Sequence, residues 1–424
     1  MGWNRRIGGA LAIAAAFVAG SALAGEAAPE TQGFSPERLA RIAPVIKDEI
    51  AKGTVPGAVT LIARNGKVVH FEAHGFLDAG KTKPMGRDAV FRGFSMTKPV
   101  VSVAALALIE QGKMSLRDPI SNWFPEFKQM TVYTEVKDER GRTSRVTVPA
   151  KRPILVWDLL RHTSGLTYSG TAPFPEMKDA YEKADVESVN SDLSNEEFIK
   201  RLAAIPLAYE PGTRWEYGLS TDVLGLVVEK VSGKRLDMHL DETMFRPLKM
   251  TETSFQAKPE QLPRLADALD ADPLKTGLWK AARVEVDPGK RYIRGGAGMV
   301  FTAEDFFRFS QMVLNGGQLD GTRILSRESV EFMLSNHIQG LEGTPFPTTG
   351  PGYGFGLGWG VRLAEGGAYA PGSTGDSMWA GAGGTSFTVD PKEKIVGIFL
   401  SAGPNTRQHT RFLFKNLLYG ALVE

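Results

Sequence analysis

The sequence predicts an α+β fold: an antiparallel sheet flanked by helices, with an inserted, mostly helical lobe. Three observations predict it. A strand hairpin, "AVTLIARNGKVVHFEAHGF", begins at Ala58. Strand-like runs return near the end as "GFGLGWGVRL", "GGTSFTVD" and "KIVGIFLSAG". Between them the apolar periodicity is helical. The economical arrangement draws one sheet from both chain ends, about residues 30–112 and 290–424, and sets about 113–289 apart as a helical lobe. A cleft between lobes is the usual place for a site. The chain of 424 residues is long enough for both.

The first element is not part of the fold. Arg5 and Arg6 precede an apolar run from Ile7 to Gly20, and Ala22-Leu23-Ala24 suits a signal peptidase. The run is shorter than the roughly 20 residues of a membrane span. Residues 1–24 are therefore read as a cleaved signal peptide, followed by the folded domain over 25–424, periplasmic or secreted, with no stable membrane anchor. The hairpin comes next, because two β-rich runs flank Asn65-Gly66.

"FRGFSMTKPVVSVAALALIEQG" then opens a helix over about 95–112. Only Ser102 is polar between Val100 and Ile109, so this helix belongs in a core. Pro99 fixes its first turn and Gly112 suits its end. Ser95 and Lys98 stand three apart, on one face at the positive end of the helix dipole. A lysine held against a buried helix is disfavoured as an ammonium. A free amine can accept a proton from a serine, which is the arrangement of an activated nucleophile.

"YTEVKDERGRTSRVTV" reads as a charged, exposed hairpin. "EEFIKRLAAIPL" and "STDVLGLVVEKVSG" read as helices, the second capped by Gly233. "TAEDFFRFSQMVLNGG" opens like a capping box, with Thr302 ahead of Asp305. "RQHTRFLFKNLLYGALV" is a final amphipathic helix.

Composition excludes several chemistries. There is no cysteine, hence no disulfide, thiolate metal site or cysteine nucleophile. The six histidines form no H-E-x-x-H, and His70 and His74 lie four apart in a strand, so no metal site is expected. Without residues 1–24 the chain has 48 basic and 48 acidic residues, two arginines fewer than the 50 basic residues of the whole. A net charge of zero offers nothing to nucleic acid.

Two further stretches belong with Ser95. In "PGTRWEYGLSTDVLG", Tyr217 precedes a helix and could complete a proton relay with Lys98. In "MWAGAGGTSFTVD", small residues leave room for a substrate against the backbone and for an N–H aimed at an oxyanion.

On "FRGFSMTKPV", "DPISNWFPEF", "ILVWDLLRHTSGL", "YEPGTRWEYGLSTDVLG", "GGAGMVFTAEDFFRFSQMVLNGG" and "GTSFTVDPKE", the chain resembles the serine β-lactamase and penicillin-binding-protein superfamily over roughly residues 35–420. It is most similar to the class C branch and the family VIII carboxylesterases. The resemblance implies a β-lactamase-like fold and a serine hydrolase without a cofactor. It makes Ser95 the acylated serine, Lys98 its base and Tyr217 the tyrosine of the second motif. It puts the oxyanion hole at the backbone N–H groups of Ser95 and Ala382, and it makes His162, in "HTSG", a support of the fold.

The departures from the pattern decide the substrate. Class C enzymes carry Y-x-N where this chain has Tyr217-Gly218-Leu219, and K-T-G where it has Trp379-Ala380-Gly381. Leu219, Trp379, Ala380 and Gly381 are thus expected at the substrate. The amide that grips an acylamino chain and the cation that grips a carboxylate are missing. Each lost charge-assisted bond costs about 1.5–3 kcal/mol, ten- to a hundred-fold against an anionic substrate. The expected activity is hydrolysis of small neutral esters through an acyl-enzyme. The alternatives are a β-lactamase or D-amino-acid peptidase using the same serine, and a non-catalytic recognition module. Oligomeric state stays open.

Overall fold

The computed structural model describes residues 25–187, 193–267 and 293–424. The expected signal peptide over 1–24 and the expected lobe boundary near 290 lie outside the described residues. In chain order the elements that position the site are α1 (Ile42–Ala51), β1 (Gly57–Arg64), β2 (Lys67–Gly75), α2 (Thr97–Glu110), β3 (Thr131–Lys137) and β4 (Thr143–Pro149). There follow α3 (Val156–Leu160), α4 (Pro175–Ala184), α5 (Asn195–Ala203), α6 (Ser220–Ser232) and α7 (Ala303–Leu314). The chain closes with β5 (Tyr353–Phe355), β6 (Gly360–Arg362), β7 (Ser377–Ala380), β8 (Ser386–Asp390), β9 (Ile395–Ser401) and α8 (Arg407–Ala421).

The main sheet is antiparallel, in the order β2-β1-β9-β8-β7-β6-β5. The N-terminal hairpin therefore docks on the last strand, with Ala58 opposite Ser401 and Arg64 opposite Ile395. This is the sheet from both chain ends that the sequence predicts. Asn65 and Gly66 take φ of 53° and 75°, the left-handed pair a two-residue hairpin turn requires. The run "GFGLGWGVRL" departs from expectation. It is two strands, β5 and β6, folded back so that Phe355 faces Gly360. Gly358 at the turn has φ 89°, and a Cβ there would lie 2.2 Å from Ser102 Oγ.

Strand alternation sorts the sheet into two apolar faces. Val59, Leu61, Val396 and Ile398 face α2 and α7. Ala58, Ile62, Ile395 and Phe399 face α1 and α8. Each fully buried side chain of this kind contributes about 1.5–3 kcal/mol. At Gly397 a Cβ would lie 2.4 Å from Leu418 Cδ1, so α8 packs directly on β9. The cluster on the α2 face continues through Leu159, Leu202 and Val223, so the sheet and the helices of 156–232 share a core. The β3–β4 hairpin stands out from it, with β4 exposed along almost its whole length.

Most helix ends follow their signals. Gly233 caps α6 at φ 71°. Thr302 Oγ1 accepts the Asp305 N–H at 3.3 Å. Asp305 does not complete the box; its carboxylate takes Glu252 N–H at 2.8 Å and Thr253 Oγ1 at 2.7 Å. No helix among the described residues is long and apolar enough to cross a membrane.

Candidate active site

The N-terminus of α2 comes first. The helix proper begins at Thr97, and Ser95 sits just ahead in a single 3₁₀ turn over Phe94–Met96. Phe94 is held at φ 44°, a left-handed conformation that is strained for a bulky residue. Thr97 anchors the turn by accepting Met299 N–H at 3.1 Å. Ser95 is half-buried, and Lys98 is 0% exposed.

Lys98 Nζ donates to Ser95 Oγ at 3.2 Å, Tyr168 Oη at 3.2 Å and the Gly296 carbonyl at 2.8 Å. Among the described residues no carboxylate pairs with it. Its three donors meet three neutral oxygens.

Two loops bring tyrosines to that amine. The first runs from His162 to Ser169. It hangs from Asp158, which is fully buried and held by Arg152 at 2.6 and 2.9 Å and by Thr163 Oγ1 at 2.7 Å. The second runs from Arg214 to Gly218. Glu216 N–H donates to the His162 carbonyl at 2.8 Å, and Thr167 Oγ1 to Glu216 Oε1 at 2.6 Å. At Gly218 a Cβ would lie 2.4 Å from the Leu166 carbonyl, so the loops lie in direct contact. Tyr168 and Tyr217 thus meet edge to face, with ring centroids 5.5 Å apart.

The two tyrosines meet Lys98 differently. Tyr168 does so through its hydroxyl. Tyr217 does so through its ring, whose centroid is 4.8 Å from Nζ, and its own hydroxyl bonds to no described residue. Burial pushes the Tyr168 hydroxyl well above the usual tyrosine range, with Tyr217 and Asp222 adding to it, so it stays neutral. Tyr168 is held in turn by its neighbour: Ser169 gives its N–H and its hydroxyl to Glu187, the latter at 2.8 Å. Sequence reasoning missed Tyr168 and Gly296. "HTSGLTY" carried a signal, a tyrosine in the same loop as a turn motif, but nothing in its spacing pointed at Lys98.

The strand end after β7 lies beside Ser95. A Cβ at Gly381 would be 2.5 Å from the Gly93 carbonyl, and one at Gly383 would be 2.7 Å from the Phe94 ring. Only glycine permits that approach. The backbone N–H groups of Ser95 and Ala382 donate to no described residue, and both residues are half-buried.

The expected substrate contacts fall on both sides of the surface. Leu219 and Trp379 are each 0% exposed. Trp379 is enclosed by Tyr217 at 5.5 Å and Phe355 at 5.2 Å, and its Nε1–H has no acceptor among the described residues. These two side chains back the wall and do not line it. Ala380 ends the same strand and Gly381 follows it, both buried. His162 is fully buried, with φ 56° and its ring 4.9 Å from that of Tyr217. Burial, with Lys98 nearby, pulls its imidazole well below the usual range, so it is neutral and makes no contact with Ser95.

The chain is similar to known proteins in sequence and in fold. A family model described as "Beta-lactamase" matches residues 42–419. The chain is 33% identical over 367 residues to Protein Rv1367c of Mycobacterium tuberculosis, covering 84% of this chain and 88% of that protein. It is 30% identical over 371 residues to Esterase EstB of Burkholderia gladioli, covering 83% and 87%. Among solved structures, "EstCE1, a hydrolase with promiscuous acyltransferase activity" superposes with a TM-score of 0.77 at 29% identity, covering 91% of this chain and 99% of that one.

Proposed function

The chain belongs to the Beta-lactamase family, and from that premise we propose that this serine hydrolase of carboxylesterase type cleaves small neutral esters through an acyl-enzyme on Ser95. One observation carries the reading: the amine of a fully buried lysine, with only neutral partners, stands 3.2 Å from a half-buried serine hydroxyl.

The steps follow from the contacts. With Lys98 in its free-base form, Ser95 Oγ gives its proton to Nζ and attacks the ester carbonyl carbon. The oxyanion that develops is met by the free N–H groups of Ser95 and Ala382. Collapse expels the alkoxide, which takes a proton from the amine. Tyr217, whose hydroxyl is unengaged, is the group free to pass that proton to the leaving oxygen. Tyr168 keeps Nζ aimed at Ser95. Water then attacks the acyl-enzyme by the same route in reverse and releases the acid. Ala380 and Gly381 offer backbone to the substrate, with Leu219 and Trp379 as the apolar layer behind. No cation stands where the family's third motif carries lysine, which favours a neutral substrate over an anionic one.

Ser95→Ala tests the reading, since it deletes one hydroxyl from an intact helix start. Wild type should hydrolyse p-nitrophenyl butyrate with kcat/KM at least about a hundred-fold above that for nitrocefin. The alanine variant should lose the ester activity and fluorophosphonate labelling together. Equal efficiency on nitrocefin would replace this reading by a β-lactamase, and a fluorophosphonate-inert wild type by a recognition module. Export rests on residues 1–24; the processed protein should begin near Gly25, and N-terminal sequencing that finds the segment intact would remove it.

A further inference from the structure

Lys98 has two acceptors besides Ser95, the Tyr168 hydroxyl and the Gly296 carbonyl. They come from loops far apart in the chain, and one buried ion pair stands behind both. Asp222, in the first turn of α6, is 0% exposed, and its Oδ1 accepts the Arg294 Nε–H at 3.1 Å. Arg294 is buried with it.

The pair reaches Gly296 through the turn that Arg294 opens. The Arg294 carbonyl accepts the N–H groups of Ala297 at 3.3 Å and Gly298 at 3.0 Å, a tight turn with Gly295 and Gly296 inside it. That turn lies flat on α6. A Cβ at Gly295 would stand 2.6 Å from the Thr221 carbonyl, and one at Gly296 would stand 2.2 Å from Asp222 Oδ2. A side chain at either position would break the contact. The pair reaches Tyr168 from the other side. Arg294 Nη1 donates to the Glu187 carbonyl, and the Glu187 carboxylate takes the N–H and hydroxyl of Ser169, the residue after Tyr168.

Two observations set the pair apart from a merely structural one. Asp222 Oδ2 is buried beside Gly296 with no hydrogen bond to a described residue. A pair kept only for stability would satisfy both oxygens. The charges also act on the site. Burial first, then Tyr217 and Asp222, push the Tyr168 hydroxyl up, and Arg294 opposes them. The other titratable groups around Lys98 are Tyr168, Tyr217 and His162, with Glu187 behind Tyr168.

We propose that Asp222 and Arg294 are positioning residues for the reaction, a single pair that aims Lys98 from two sides and keeps the charge behind it balanced. The inference rests on the Ser95–Lys98 reading above.

The test is the pH profile of p-nitrophenyl butyrate hydrolysis in three variants, with thermal unfolding to show which are folded. Asp222→Asn keeps the shape of the pair and leaves the arginine unbalanced, which disfavours the Lys98 ammonium. Its kcat should fall at least about tenfold with KM little changed, and the pH at which activity rises should move down by about one unit. Arg294→Lys keeps the charge but cannot span Asp222 and Glu187 together. It should lose a similar factor in kcat with that pH unmoved. Glu187→Ala, half-buried, cuts the Tyr168 arm alone and should lower kcat a few-fold at constant KM. An Asp222→Asn enzyme with the wild-type pH profile would overturn the proposal, whatever its kcat. The downward shift in Arg294→Lys would overturn the charge balance. Should neither buried variant fold, an unchanged kcat in Glu187→Ala would overturn the positioning. A Ser95→Ala enzyme that stays active would instead bring down the reading on which the inference rests.

Discussion

Among the described residues two lysines are buried, and their surroundings are opposites. Lys415, on α8, is 5% exposed and touches both oxygens of Asp376, at 2.9 and 3.0 Å. Lys98, on α2, is 0% exposed and touches a serine, a tyrosine and a carbonyl. Burial draws Lys415 below the usual lysine range, and Asp376 opposes it. If Lys415 gives up a proton it forfeits the attraction of a carboxylate. If Lys98 gives up a proton it forfeits only hydrogen bonds to neutral oxygens. The first arrangement holds a fold together; the second leaves an amine free to exchange protons with its neighbour. The acids repeat the contrast. Asp158 is clamped by Arg152 and Arg161, whereas Asp305 has only neutral donors.

Exchanging the two lysines for methionine breaks the comparison most sharply. Lys98→Met should cut kcat/KM for neutral esters by about 10²–10⁴-fold and leave stability within about 1 kcal/mol. Lys415→Met should do the reverse. It should cost about 3 kcal/mol, the low end for a broken buried pair because Arg362 remains on Asp376, and keep kcat within a few-fold at 25 °C. Denaturant unfolding and ester kinetics on the same preparations check both. Equal losses of activity and stability in both variants would dissolve the distinction.

The acid side gives a smaller effect with a defined sign. Burial raises the Asp305 carboxyl from 3.8 to about 6. The folded state then holds a proton that the unfolded state has released between those values. Stability should fall as pH rises from roughly 4 to 6, by at most about 3 kcal/mol, and then level off. Asp305→Asn should flatten that slope. A slope unchanged in Asp305→Asn would assign it to another group.

The smallest expected effect concerns aim. Tyr168→Phe removes one of three acceptors from Lys98 and should lower kcat about tenfold, leave KM little changed and move the pH at which activity rises. A uniform loss with no change in the pH profile would make Tyr168 a packing residue.

Local signals were legible in the chain and long-range ones were not. Asn65-Gly66 specified its hairpin because both φ values are set by the two residues themselves. Ser95 and Lys98 were legible because a helix puts residues three apart on one face. Thr302 and Gly233 marked helix ends for equally local reasons. "GFGLGWGVRL" was misjudged as one strand, since the contact of Gly358 with Ser102 that turns it back spans the whole fold. Tyr168 and Gly296 reach Lys98 from 70 and 198 residues away, and no periodicity records such a meeting. Trp379 was legible as a departure from a motif, but its complete burial depends on Tyr217 and Phe355 closing around it.

The central claim is that Lys98, free of any carboxylate, is the base that activates Ser95. The most direct measurement is the rate of fluorophosphonate labelling of Ser95 across pH, in wild type and Lys98→Met. Wild type should label faster as pH rises through a single ionisation, and Lys98→Met should label at least about a hundred-fold more slowly with that rise abolished. Labelling of Lys98→Met within a few-fold of wild type, with the same pH dependence, would contradict the account and assign the proton to a different base.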